Sequence, residues 1–157
     1  MSYCTYLAAN CSLPLKKWPD KDYPLEINID TETKSETIFD GDADDNFALL
    51  PIGADDAYSG KKAAVALCWN YYTEGRAKQV IEYIEAALKE CECVELWRVW
   101  LLGDNEEITP SIRLNTILKN ELTTDMIREI DNYDVFIDGV YNPHPIFRCL
   151  RIAKTKE

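Results

Sequence analysis

The sequence contains little of what most catalytic and ligand-binding motifs require. There is a single histidine, and the six glycines are scattered singly, without the G-x-G-x-x-G or Walker A patterns that hold phosphates. No apolar run approaches the roughly 20 residues that cross a bilayer. No lysine or arginine precedes the short apolar stretch at residues 5–9, so a secretory leader is not predicted and we expect a cytoplasmic protein.

What is present is the composition of a globular domain. Hydrophobic residues make up 46% of the 157 residues, so the chain can bury a core, and one domain covering 1–157 is predicted. The six cysteines are expected to be reduced and structural, because a core of this size needs no disulfides and a reducing compartment would not preserve them. No cofactor is predicted, since no motif for one is found.

Negative charge is concentrated in one region of the chain. Residues 20–56 contain twelve acidic residues and two lysines, a net charge of −10 out of −11 for the whole chain. Such a region repels nucleic acid and anionic membranes and attracts basic proteins or cations. We therefore expect neither nucleic acid nor membrane as a partner, and favour a basic protein. A solvated surface that binds nothing is the simpler alternative.

The most acidic stretch, DGDADDNF at residues 40–47, begins like a calcium-binding loop. Asp40, Asp42 and Asp44 occupy the first, third and fifth positions, but Asp45 stands where a glycine is needed and Pro51 where a bidentate glutamate is needed. The pattern therefore predicts an acidic turn, with a weak cation site as the alternative. The residues predicted to belong to a partner-binding surface are Asp40, Asp42, Asp44 and Asp45.

The pattern of apolar residues predicts strands and helices along the second half of the chain. Residues 63–71 are apolar except for Asn70, as in a central strand, and Thr73 is a suitable cap for a helix with apolar residues at helical spacing. The predicted order is a strand at 63–71, a helix at 74–91, strands at 94–102 and 111–118, a helix at 124–132 with a threonine cap, a brief extended run at 133–137 and a strand at 146–154.

This order predicts an α+β fold. An antiparallel sheet with two helices on one face would bury both helical stripes, and from residue 61 the element order β-α-β-β-α-β matches that of ferredoxin-like folds. In that arrangement 94–102 and 111–118 form a hairpin. Residues 1–60 are predicted to contribute acidic loops and further strands, PLEINI and FALLPIG, which extend the sheet or cover its edge.

Two groups of residues are candidates for a site. His144 lies between two prolines in a loop, and Cys149 and Asp138 are near enough in sequence for a Cys-His-Asp cluster, but no nucleophile motif accompanies them. They are therefore weak catalytic candidates. Trp97 and Trp100 point to opposite faces of one strand, so one is expected in the core and the other at a surface; Trp97 is the candidate partner anchor.

The segment YYTEGRAKQVIEYIEAAL followed by VELWRVWLL resembles small acidic uncharacterised bacterial proteins, some of which are grouped with immunity proteins of toxin systems. The resemblance covers about a third of the chain and includes no catalytic motif. It implies a protein that acts by binding and not by catalysis.

Three functions are consistent with these observations. We favour a non-enzymatic cytoplasmic binding module, such as an immunity-type inhibitor, whose acidic region engages a basic protein. The alternatives are a small enzyme or ligand-binding domain with a pocket near His144, and a subunit of a larger assembly.

Overall fold

The computed structural model describes residues 2–20, 26–39, 44–52, 58–101, 110–135 and 144–155. Within these ranges the elements are β1 (Ser2–Ala9), β2 (Glu26–Asp30), β3 (Ser35–Phe39), β4 (Ala48–Pro51), β5 (Ala63–Cys68), α1 (Glu74–Ala87), β6 (Cys93–Leu101), β7 (Ser111–Leu118), α2 (Thr124–Asp131) and β8 (Ile146–Ala153). A single 3₁₀ turn, Lys119–Glu121, joins β7 to α2. No helix of the described residues is long and apolar enough to cross a membrane.

Six strands form one sheet in the order β4-β5-β1-β6-β8-β7, and β2 pairs with β3 in a separate two-stranded sheet. The predicted α+β class is confirmed. All neighbours in the large sheet are antiparallel except β7 and β8. Those two are parallel because α2 carries the chain from the end of β7 back to the start of β8, and a parallel connection needs such a crossover.

The strand order differs from that of a ferredoxin-like sheet. The hairpin predicted between residues 94–102 and 111–118 is wrong, because β8 lies between β6 and β7 and pairs with both. The N-terminal strand β1 lies between β5 and β6. It therefore takes a central position, whereas the N-terminal strands were predicted to extend the sheet or cover its edge. Of those strands, β4 does extend the sheet, whereas β2 pairs only with β3 among the described strands.

Both helices cover the same face of the sheet, as expected. The side chains that α1 and α2 bury, among them Val80, Ile84, Ile127 and Ile130, belong to one apolar cluster with Leu7, Leu96 and Ile152 from the central strands. Thr73 and Thr123 cap the two helices by accepting hydrogen bonds from the backbone N–H of Arg76 and Met126. Helix α1 ends at Ala87, four residues before the predicted end.

The opposite face buries a second, more aromatic cluster. Tyr6 and Trp97 stack with parallel rings whose centroids are 5.8 Å apart, and Phe147 meets Tyr58 edge to face. Val135 and Tyr58 pack on this cluster from segments without regular structure. The central strands of the sheet are therefore buried on both sides, whereas the edge strand β7 is mostly exposed.

Candidate functional site

The strands β2 and β3 form a hairpin, here called the acidic hairpin (residues 26–39), whose turn is closed by Asp30. Its carboxylate oxygen Oδ1 accepts hydrogen bonds from the backbone N–H of Glu32 (2.9 Å) and Thr33 (3.3 Å). These hydrogen bonds, that from Thr33 above all, lower the pKa of Asp30. Lys34 has a positive φ of 56°, the left-handed conformation that such turns use. Asp30 therefore stays charged at neutral pH.

The acidic hairpin exposes two large apolar side chains. Ile27 is 53% exposed and Ile29 is 68% exposed, and because they are two residues apart on one strand they point to the same face. An isolated two-stranded sheet is at best marginally stable in water and normally needs a third strand or another surface to pack on. Exposed isoleucines beside acidic residues thus form an amphipathic surface that another molecule could cover.

Only residues 44–47 of the acidic run at 40–47 belong to the described part of the chain. Asp40 and Asp42 lie outside the described residues, so their predicted roles in partner binding and in a weak cation site stay predictions. Asp44 lies at the start of α1, where a Cβ atom on Gly75 would overlap its carboxylate. The backbone oxygen of Asp45 accepts a hydrogen bond of 2.7 Å from Lys16 Nζ. No three acidic, cysteine or histidine side chains of the described ranges are grouped as metal ligands would be.

Trp97, the candidate partner anchor, is buried. It is 5% exposed, and its indole Nε1 donates to Glu95 Oε1 at 3.2 Å. The stacked ring of Tyr6 covers it. Trp97 therefore belongs to the core, and the prediction that it contacts a partner is corrected. Trp100, on the other face of the strand, packs edge to face on Tyr3.

The predicted Cys-His-Asp cluster is not supported by the positions of its described members. Cys149 is 1% exposed in the middle of β8, and burial raises its pKa to about 12. Its thiol is therefore protonated at neutral pH and is a poor nucleophile. His144 is exposed two residues before β8 begins, and Asp138 lies outside the described residues.

A buried carboxylate that the sequence analysis missed lies at the centre of the second face. Glu95 is 4% exposed and accepts hydrogen bonds from Ser59 Oγ, Trp97 Nε1 and the guanidinium of Arg151, the last at 3.1 and 3.3 Å. Burial acts to raise the pKa of Glu95, but these hydrogen bonds and the charge of Arg151 outweigh it and the pKa is lowered. These hydrogen bonds stabilise the charged form of Glu95, so the Glu95–Arg151 pair is better suited to a structural role than to proton transfer.

A second polar network lies at the C-terminal end of α2. The carboxylate of Asp131 accepts hydrogen bonds from Thr5 Oγ1 (3.0 Å) and Trp69 Nε1 (2.9 Å). Arg98 donates to Thr5 Oγ1 and to the backbone oxygen of Tyr133. Burial lowers the pKa of Arg98. These contacts tie β1, β6 and α2 together.

Cys91, which lies two residues before Cys93, contacts a third cysteine from a distant part of the chain. The sulfur of Cys11, just after β1, lies 2.9 Å from the sulfur of Cys91. Burial, reinforced by the Cys11 thiol, raises the pKa of Cys91 to about 12, which keeps this thiol protonated. All six cysteines are free in the structure, and their reduced state in the cell stays a prediction.

Comparison with known proteins adds no relative to this description. No family model, no curated protein and no solved structure matches the chain. The candidate site is accordingly defined by geometry alone, and the acidic hairpin is its centre.

Proposed function

We propose that the protein is a non-enzymatic binding module that engages a basic protein through the acidic hairpin and the acidic residues that flank it. The observation that carries this proposal is the exposure of Ile27 and Ile29 on a hairpin that pairs with no other described strand. An immunity-type inhibitor acting in the cytoplasm is the form of this function that the resemblance at residues 71–102 supports.

The apolar side chains provide a reason for a partner to bind. Covering the exposed parts of Ile27 and Ile29 would contribute roughly 1–3 kcal/mol, and a partner that adds a strand or a surface would also stabilise the marginal hairpin. Apolar residues at the centre of a contact with charged residues around them are the usual arrangement of a protein interface.

The charge provides a reason for that partner to be basic. Residues 20–56 have a net charge of −10, and within this stretch Asp20, Asp30 and Glu32 are exposed. A concentrated negative potential raises the association rate of a basic protein and disfavours acidic ones, and salt weakens both effects. Rapid, salt-sensitive association is therefore expected.

The test is affinity capture from a lysate of the source, with identification of the captured protein and measurement of its binding by purified components. Wild type is compared with Ile27→Asn/Ile29→Asn. The control is Ile112→Asn/Leu114→Asn, which changes two apolar side chains of edge strand β7 that are 49% and 44% exposed. We expect a basic protein whose affinity falls at least about tenfold in the hairpin variant and is retained in the control.

The charge is tested separately by the association rate. Asp20→Asn/Glu32→Gln should slow association by about two- to tenfold at low salt and have less effect at high salt. Glu82→Gln/Glu129→Gln removes the same charge from exposed positions on the helices and should leave the rate nearly unchanged. Capture of an acidic protein, or equal losses in the hairpin and control variants, would overturn the proposal.

A further inference from the structure

A second surface of the protein has the opposite charge. A cleft of about 510 Å³ opens where α1 ends and where the chain leaves β7 and β8. Its floor is the buried Leu88, and three lysines from separate segments surround it: Lys89 after α1, Lys119 in the 3₁₀ turn and Lys154 after β8. Glu85 and Asn120 complete the lining.

The three lysines of the cleft form no ion pair with a described carboxylate. Within the described residues, none of the three ammonium groups lies within ion-pair distance of an acidic group; the ion pairs formed there join other residues. Glu85 is the one acidic residue of the lining, so the cleft has an excess of two positive charges. In a chain whose net charge is −11, like charges gathered at one cleft repel one another unless an anion lies between them.

The position of the cleft in the fold is a second indication of a binding site, independent of its charge. Strands β7 and β8 are the parallel pair of the sheet, joined by α2. Lys119 lies in the connection that follows β7, and Lys154 directly follows β8. In mostly parallel α/β sheets, ligands bind outside the carboxyl ends of the strands. This sheet has one parallel pair, and the cleft lies at the carboxyl ends of its two strands.

From the charge, the volume and the position we infer that this cleft, here called the lysine cleft, binds the phosphoryl group of a small molecule. Lysine ammonium groups are compact charges that bind phosphate oxygens from several directions, whereas planar carboxylates are better matched by arginine forks, and the lining contains lysine and no arginine. Its volume is within the range of small-molecule sites. Asn120 and the apolar floor are placed to contact the rest of the ligand.

The first measurement uses inorganic phosphate as the probe and malonate, a dicarboxylate of similar charge, as its comparison. Amide chemical shifts of the full chain are followed during both titrations. We expect saturable binding of phosphate in the millimolar range, shift changes centred on residues 85–89, 118–121 and 153–155, and weaker binding of malonate. Malonate binding as tightly as phosphate would overturn the assignment to a phosphoryl group, and the absence of saturable phosphate binding would overturn the site.

Variants then assign the effect to the cleft. Lys119→Gln or Lys154→Gln should weaken phosphate binding by about tenfold, because each removes a charged hydrogen bond. Glu85→Gln should strengthen binding, because it removes a repulsive charge. Lys78→Gln is the matched control, since Lys78 is an exposed lysine of α1 paired with Glu74. Circular dichroism checks that each variant is folded. Weakening by Lys78→Gln equal to that by Lys119→Gln would mean nonspecific screening and would contradict the inference.

Discussion

The two faces of the six-stranded sheet are buried by different means. The face under the helices is covered by the regular apolar stripes of α1 and α2, and its cluster contains apolar side chains. The other face is covered by aromatic rings and by segments without regular structure, and it contains the Glu95–Arg151 ion pair. Each face also holds a charged pair: Arg98 and Asp131 lie 3.9 Å apart on the helix-covered face, and Glu95 accepts hydrogen bonds from Arg151 on the other. The faces therefore differ in what covers the sheet, regular helices on one side and aromatic rings with irregular segments on the other.

This difference explains why the residues that cover the second face were harder to predict from the sequence. An amphipathic helix buries a stripe that repeats every three to four residues, and that repeat is visible in the sequence. A face covered by loops leaves no repeat in the covering residues. A charged residue such as Glu95 within an apolar strand then looks like a surface residue, although its partners Ser59 and Arg151 make it part of the interior.

The largest effect is expected on the helix-covered face. Leu96→Ala should lower the free energy of unfolding by about 2–5 kcal/mol, because Leu96 is completely buried and its removal leaves a cavity. Ile112→Ala, at the exposed edge strand, should change stability by less than about 0.5 kcal/mol. Chemical denaturation measures both. A loss below about 1 kcal/mol for Leu96→Ala would contradict the packing described for this face.

A smaller loss is expected when the charged pair of the other face is broken. Arg151→Met leaves the Glu95 carboxylate buried without its cation and should cost about 1–2 kcal/mol, less than for a fully buried pair because the Arg151 side chain is 39% exposed. The control is Lys78→Met, which breaks the exposed Lys78–Glu74 pair at 3.7 Å and should cost no more than about 0.5 kcal/mol. Equal effects would mean that Glu95 is better solvated than the structure indicates.

The same pair makes the second face sensitive to acid. The pKa of Glu95 is lower in the folded protein than its ordinary value of 4.5. Its stabilising contribution is therefore fully present above 4.5 and is lost as the pH falls through the lowered pKa. Denaturation at a series of pH values should show a smaller acid-induced loss for Glu95→Gln than for wild type, whereas Glu82→Gln should follow wild type. Parallel curves for wild type and Glu95→Gln would contradict the lowered pKa.

The smallest effect concerns the acidic run beside α1. Asp44→Asn keeps the size of the side chain but removes a negative charge from the positive end of the helix, and should cost about 0.3–1 kcal/mol. Asp20→Asn, an exposed aspartate outside any helix, is the control and should be neutral. If Asp44→Asn is also neutral, the contact with Gly75 contributes nothing to the start of α1.

Much of the local structure was predictable from particular residues. Thr73 was predicted to cap the first helix and a threonine to cap the second, where Thr123 accepts the expected hydrogen bond. Of the strand predicted at 63–71, residues 63–68 form β5. The pairing of strands was less accessible. The pattern of residues 111–118 predicts a strand but does not say which strand lies beside it, and the insertion of β8 between β6 and β7 depends on the crossover of α2.

The candidate binding surfaces were also predictable only in part. The charge of residues 20–56 is visible in the sequence, and so is the alternation of Ile27 and Ile29 with polar residues in EINID. Their exposure was not predictable, because a strand of this pattern usually packs its apolar side on a core. The three lysines of the cleft carry no signal at all in the sequence, since they are separated by 30 and 35 residues.

By itself the sequence determined the α+β class, the caps and apolar stripe of the helices, and the concentration of negative charge in one region. These properties depend on neighbouring residues, whose spacing a linear chain displays directly. The tertiary structure alone decided the central position of β1, the burial of Trp97 and Glu95, and the gathering of Lys89, Lys119 and Lys154 around one cleft. Each of these requires segments distant in sequence to meet, and side-chain periodicity does not encode which segments do so.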